Sequence, residues 1–338
     1  MTYRDAQLTV GVESAFGTPV TTGRRVLYTG NSGFDFQPND AESEELTFDV
    51  DASSQLYRPV VSAAGSIDLR TKAKGLGFLH KAGIGTGVST LVSASTYQQN
   101  FTPLATGAAP FLDPLTVQWV QKLVDNTDDV NTFPGCTIKS IEWKIDNAGD
   151  LNETIEVEAR TMSTAIAKSA VAVSAANPFT FAGFTAYTGA LTEPTTVLMP
   201  TCATQLTAVK SMSLKIENDI VTDDYRGDGT GLKGQHAVQG QVVTGQLVMD
   251  YNAQAQTLRN AWIANTATGL LFKFDTGVAL GTGTEQLVFA MADVRCTGQP
   301  TPNRDGKFPT ITFPFKAYLG ASSAAKLFVC ARTADAAL

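Results

Sequence analysis

Alternating apolar and polar positions dominate this chain, and the alternation occurs twice. Phe34 and Phe36 alternate with polar residues, and Leu214 and Ile216 repeat that pattern; Gly65, Ile67 and Leu69 return as Gly245, Leu247 and Met249. The step between the two sets is about 180 positions. Between its two anchors each copy carries a polar arm, residues 40–60 and then 220–240, and after the second anchor each has a short helix-like segment, 76–82 and 257–264. The period of two predicts strands, and Leu76, Leu79 and Ala82, like Leu258, Ala261 and Trp262, fall on one helical face. The clearest hairpin joins 138–145 to 154–160. Ile141, Trp143 and Ile145 point one way along its first strand, Asn147-Ala148-Gly149-Asp150 makes the turn, and Ile155 and Val157 point inward on the return.

Further strands are expected at 24–28, 116–123, 270–274, 287–296 and 308–319, with Leu327-Phe328-Val329 as an edge strand. Gly65 marks a bulge or a close backbone approach. Residues 161–208 are rich in Ala, Ser and Thr and read as a crossing between the copies, anchored by Phe179, Phe181 and Phe184. The expected organisation is therefore mainly β, with a first domain at 1–160, a crossing segment at 161–208 and a second domain at 209–338.

Composition narrows the function. A chain of 338 residues is long for one core, so two domains are expected. No apolar run is long enough for a membrane helix, and the first residues lack a secretion pattern. A net charge of −7 with 25 Lys and Arg argues against a surface built to neutralise phosphates, but not against a wall that nucleic acid must pass without sticking. Cys136, Cys202, Cys296 and Cys330 are too scattered for a zinc site or a disulfide framework.

Several stretches imitate chemistry. His80 and His236 have no second ligand at metal spacing. Residues 83–90 (GIGTGVST) lack the Gly-Lys-Ser/Thr ending of a phosphate cradle and read as a loop, and GTGT at 281–284 reads as a turn. Asp223, Asp224 and Asp228 lack the spacing and the closing Glu of a calcium loop. Arg226-Gly227-Asp228 matches an integrin tripeptide by letter alone. We nominate no catalytic, cofactor-binding or metal residue, and expect no enzyme.

Near the N-terminus, Gly11-Val12-Glu13-Ser14 followed by Phe16-Gly17-Thr18-Pro19-Val20 and Thr22 precedes a basic residue and a strand. This phrase resembles the N-terminal signature of the tail tube, or major tail, proteins of long-tailed bacteriophages, and the strand–arm–strand–helix order extends the resemblance over most of the first half. The resemblance implies a β-sandwich or barrel-like tail-tube domain, here duplicated in tandem with one short helix per copy. It implies a self-assembling structural virion protein of the viral tail, stacked as rings around a lumen that conducts DNA during ejection. Tail tip, tape measure and tail terminator proteins would be its neighbours, and assembly would occur in the host cytoplasm. With two domains per chain, three copies make a pseudo-hexameric ring; hexameric rings are the alternative.

Under this reading, strands carrying Phe34, Phe36, Ile67, Leu69, Leu214, Ile216, Leu247 and Met249 contribute the lumen wall. Glu44, Leu46, Phe48, Val50, Tyr57, Tyr225, Arg226 and Lys233 belong to arms that contact neighbouring subunits or rings. The first arm is acidic, and Leu46, Phe48 and Val50 alternate as in an edge strand awaiting a partner. The competing reading is a β-rich adhesin or receptor-binding virion protein that does not polymerise.

Overall fold

The structure, a computed structural model, describes residues 6–42, 56–58, 60–171, 175–225, 230–303 and 308–338. Glu44, Leu46, Phe48, Val50 and Arg226 of the predicted arms lie outside the described residues, as does Asp228.

The first half runs β1 (Gln7–Val12), β2 (Arg24–Val26), β3 (Gly33–Gln37), β4 (Ala41–Glu42), β5 (Leu56–Tyr57), β6 (Ser62–Arg70), α1 (Gly77–Ile84), β7 (Gly85–Ser93), β8 (Thr96–Pro103), β9 (Leu115–Lys122), β10 (Asp128–Ile145) and β11 (Asn152–Ala159). The second runs β12 (Phe184–Thr192), β13 (Thr201–Leu206), β14 (Val209–Ile220), β15 (Val238–Asp250), α2 (Ala253–Ile263), β16 (Thr268–Ala279), β17 (Thr284–Cys296), β18 (Pro302–Asn303), β19 (Thr310–Tyr318) and β20 (Phe328–Thr333). All ladders between these strands are antiparallel, as short connections permit.

In the first half β10 is shared between two layers. Its first residues pair with β9, which pairs with β1 and through it β2; its later residues pair with β11, which pairs with β6 and through it β3. The handover occurs at Pro134-Gly135, where the β9 register shifts between Phe133 and Cys136. The layers meet again where β2 runs toward β3, because Tyr28 bridges Leu69 and the Thr29 N–H donates to the Asp68 carbonyl at 2.6 Å. The second half has the same path. β17 hands over from β16 to β19, β16 pairs with β12 and through it β13, and β19 pairs with β15 and through it β14. Val209 pairs with Met249, and the Asp250 N–H donates to the Ala208 carbonyl at 3.0 Å.

The β10–β14 ladder, with Ile141 opposite Ile216 and Trp143 opposite Leu214, joins the halves. One sheet therefore runs β3-β6-β11-β10-β14-β15-β19. On the far side β20 lies between β17 and β8, and β8 pairs with β7. The terminal strand expected at an edge is thus an interior strand, because the β7–β8 hairpin of the first half reaches across to it. That hairpin also absorbs residues 85–90, expected as a loop.

The 138–160 hairpin forms as predicted, with Ile141 opposite Ile155 and Trp143 opposite Glu153. The helices start and stop a few residues from the expected bounds, and they differ in burial. α1 (GFLHKAGI) is apolar nearly all round and buried at almost every position, whereas α2 (AQAQTLRNAWI) buries only Ala255 completely. Asn252 caps α2 by accepting from the Ala255 N–H. Residues 161–208 contain β12 and β13, and Phe179 is buried against Phe274.

Candidate assembly surface

The seven-stranded sheet has one face in the core and one outside. Ile67, Leu69, Leu214, Ile216, Leu247 and Met249 are fully buried on the core side. Phe34 and Phe36 pack beside them only half-buried, with the Phe34 ring 5.0 Å from that of Phe133 and 6.2 Å from that of Trp119. The side chains expected at a lumen wall thus face the core instead of the open face of the sheet, since a strand turns successive residues to opposite faces. The outward face of the same strands carries Asp35, Asp68, Glu142, Glu156, Glu217 and Asp250, set among Arg70, Lys144, Lys215 and Lys316 and small polar residues such as Ser66, Ser213, Thr244 and Thr312. Several of these groups are held in place. Thr154 donates to Asp68 at 2.6 Å, Ser140 donates to Glu156 at 2.9 Å, and Lys210 pairs with Asp250 at 2.7 Å.

The two borders of this sheet differ from its interior. Among the described residues, the edge of β3 away from β6 carries no ladder, and neither does the edge of the β17 end and β18 away from β19. Beside the β17 end, Leu258 and Trp262 of α2 with Val294, Cys296 and Phe315 line an apolar cavity of about 50 Å³. The corresponding place beside α1 is filled. Asn218 of β14 donates there to the carbonyls of Gly83 and Ile138 at 2.8 and 2.9 Å, and Gln241 of β15 donates to the Ile84 carbonyl at 2.8 Å. Burial raises the Cys296 thiol pKa to about 11, so it is protonated at neutral pH.

The first arm begins as a two-stranded ribbon, Ala41 opposite Tyr57 and Glu42 opposite Leu56, with Arg58 paired to Asp40 at 2.6 Å. The second arm folds back on its own chain. Tyr225 bridges Lys233, and the buried Lys233 ammonium pairs with Glu158 of β11. His236 lies beyond it, its Nδ1 3.1 Å from Thr137 Oγ1. Desolvation, helped by the Lys233 charge and opposed by Asp224, lowers the His236 pKa to about 4, leaving a neutral ring.

The N-terminal signature converges on this same place. Phe16 meets His236 edge-on at 5.5 Å and lies under the Arg160 guanidinium. The Glu13 carboxylate is buried and accepts from Gly17 N–H at 2.7 Å, Gly135 N–H at 2.9 Å and Thr116 Oγ1 at 2.7 Å. Burial raises its pKa, while those bonds and Arg160 pull the other way. In the sequence Glu13 is only one letter of the N-terminal phrase; in the fold it fastens the loop after β1 to the β10 bend. The clue available in the sequence was one carboxylate set between an apolar strand and a Gly-Thr-Pro turn.

A buried polar cluster around His80 is structural in form. His80 Nε2 lies 3.1 Å from Glu153 Oε1, Thr71 donates to the same carboxylate, and the imidazole sits edge-on to Phe101 and Trp143. Among the described residues no group of three or more His, Cys, Asp or Glu side chains is arranged to hold a metal ion, and no helix is long and apolar enough to cross a membrane. All four thiols are free.

A family model described as phage tail tube protein matches residues 4–317. No curated protein matches the chain. The match spans both halves, the N-terminal signature and the joint between β10 and β14. The chain therefore belongs to the phage tail tube protein family, as a structural subunit of the multi-subunit tube in a virion tail.

Proposed function

We propose that this subunit polymerises as stacked rings around a lumen that conducts DNA during ejection, and that three chains make each ring. The observation that carries the reading is the β10–β14 ladder, which fuses two β units of like connectivity into one sheet. In this reading the first module comprises β1, β2, β3, β6, α1, β9, β10 and β11, and the second comprises β12, β13, β14, β15, α2, β16, β17 and β19. The second module thus begins with β12, inside residues 161–208. Two modules per chain make a pseudo-sixfold ring from three chains, whereas six chains are required if only one module reaches the lumen.

The outward face of the seven-stranded sheet is the proposed lumen wall, with Ile67, Leu69, Leu214, Ile216, Leu247 and Met249 backing it from the core. Its carboxylates outnumber its cations, and its Ser and Thr side chains are short. DNA passing such a face releases few counterions and finds no binding trap. The 40–60 arm, including Glu44, Leu46, Phe48, Val50 and Tyr57, is proposed to reach a neighbouring subunit or ring from its paired base. Tyr225 and Arg226 keep that role in the second arm; Lys233 anchors that arm to Glu158 of its own chain. Tail tip, tape measure and tail terminator proteins are the proposed neighbours at the ends and inside the tube, and assembly is proposed to take place in the host cytoplasm.

Helical reconstruction of tubes assembled from the purified chain tests this reading. The expected map has three chains per ring with both modules at the lumen. A sixfold ring with one module at the lumen overturns the three-chain ring, and a chain that stays monomeric under all assembly conditions overturns the tube.

A further inference from the structure

The second arm belongs to the second half of the chain, yet the first half holds it. Its described stretches, 221–225 and 230–238, lie between β14 and β15. Phe111 bridges Ala237, and the Val238 N–H donates to the Pro110 carbonyl at 2.7 Å. Glu158 of β11 takes the buried Lys233 ammonium, and Thr137 Oγ1 of β10 lies 3.1 Å from His236 Nδ1. Phe16, from the loop after β1, stands edge-on to the imidazole. Within the arm, the Val221 N–H donates to the Ala237 carbonyl at 2.9 Å and the Gly234 N–H to the Asp224 carbonyl at 2.7 Å. Every outside contact named here comes from residues before β12.

We propose that His236 is a proton-operated latch: with a neutral ring the second arm lies shut on the first half, and protonation of the ring releases it. A protonated imidazole donates from both nitrogens. His236 is 1% exposed, and its Nε2 has no hydrogen-bond partner among the described residues, so a donor there meets no acceptor. The titratable and charged groups of the surrounding elements do not supply one. Glu158 is occupied by Lys233, and Glu13 already accepts from Gly17, Gly135 and Thr116. Burial keeps the Cys136 thiol of β10 protonated. Lys233 and Arg160 are cations, and the pull of Asp224 is outweighed by desolvation and the Lys233 charge. A buried charge without a partner is far costlier than the same charge in water, so the charged ring favours the lifted arm. The ring's pKa is lowered to about 4 from 6.5 while the latch is shut, so the latch holds fully above 6.5 and weakens as pH falls toward 4. It acts within one chain, so the tube reading can fail without touching it.

Amide hydrogen exchange on the full chain tests the latch, with rates corrected for the intrinsic effect of pH. The reporters are the amides of Val221, Gly234 and Val238, whose bonds close the arm, and the amides of β10 and β14 serve as the reference. Between pH 7 and pH 5 protection at the three reporters is expected to fall by about twentyfold, the ratio that the two ring pKa values give, while the reference amides keep theirs. His236→Phe keeps an aromatic ring but takes up no proton, and in it the fall should vanish. An equal fall in the variant, or a fall spread evenly over β10 and β14, overturns the latch. The parent decides alone should the variant not fold, because nuclear magnetic resonance follows the His236 ring directly. Ring titration and loss of protection are expected over the same pH interval, and a ring that titrates while the arm stays protected overturns the proposal.

Discussion

Trp143 of β10 stands directly opposite Leu214 of β14, although the two residues belong to different halves of the chain, and both are fully buried. The Trp143 ring lies 4.8 Å from Phe289 and 5.7 Å from His80, so one side chain touches both halves and the layer behind them. The halves consequently share a core instead of meeting across a solvated interface. Trp143→Ala is expected to cost about 3–5 kcal/mol. Urea unfolding followed by far-UV circular dichroism should show one transition at a lower midpoint in the variant. Two separate transitions in the parent chain would contradict a shared core.

Gly65 and Gly245 lie in regular ladders beneath aromatic rings. A Cβ on Gly65 would sit 2.4 Å from the Phe34 ring, and one on Gly245 would sit 2.4 Å from the Phe315 ring. Each glycine makes space for a ring, and its ladder shows no bulge there. Gly65→Ala is expected to destabilise the chain by about 1–3 kcal/mol through overpacking. Phe34→Leu should relieve part of that loss when combined with it. A double-mutant cycle in urea measures the coupling, and strictly additive effects would remove the proposed ring contact.

Strand positions were legible wherever one face meets the core and the other meets water. The 138–160 hairpin and the strands around Ile67, Leu247 and Phe313 alternate for that reason. The tail strand around Val329 reads as an edge from sequence because its partners, β8 and β17, are remote along the chain and no local pattern announces them. β12 and β13 were hidden by short side chains: Ala, Thr and Gly over half-exposed positions give weak alternation. The role of Glu13 depends on Gly135 and Thr116, about a hundred or more residues away, and only the fold brings them together.

The signature carboxylate gives a sharp expectation. Glu13→Ala leaves the Gly17 and Gly135 N–H groups without their acceptor, Gly135 in a buried setting, and should destabilise by on the order of 3 kcal/mol. Glu13→Gln keeps one carbonyl acceptor and should cost less. Amide hydrogen exchange reads the effect locally, with faster exchange expected at Gly17 and Gly135. Unchanged protection in Glu13→Ala would show that the carboxylate does not hold the two backbone segments.

His236 makes stability depend on pH. Its folded pKa is lowered to about 4 from 6.5, chiefly by desolvation and then by the Lys233 charge. Between those values the unfolded chain binds the proton and the folded chain does not, so stability falls as pH drops from about 6.5 toward about 4. The full effect of this one group is up to about 3 kcal/mol. Glu13 acts oppositely, since its raised pKa favours the protonated folded form and its contribution declines as pH rises through the carboxylate range. Urea midpoints across that interval should show a slope that His236→Phe flattens. An unchanged slope in the variant would assign acid sensitivity to other groups.

The electrostatics of the outward sheet face supply the last prediction. Glu156 and Glu217 lie on neighbouring stretches of that face, on either side of β10, with Ser140 of β10 bonded to Glu156 and paired with Glu217. Replacing both with Lys turns an acidic strip into a basic one without touching the core-facing residues. If this face fronts the passage, each ring then presents a belt of cations to the phosphate backbone, and DNA entering the tube gains counterion-release binding that the parent wall withholds. Variant tubes should retain duplex DNA against nuclease at low salt and release it as salt rises, because the affinity of such contacts falls steeply with ionic strength. Virions built with the variant should eject more slowly under the same low-salt conditions and recover in high salt. Equal retention and equal ejection by parent and variant would place this face away from the DNA path.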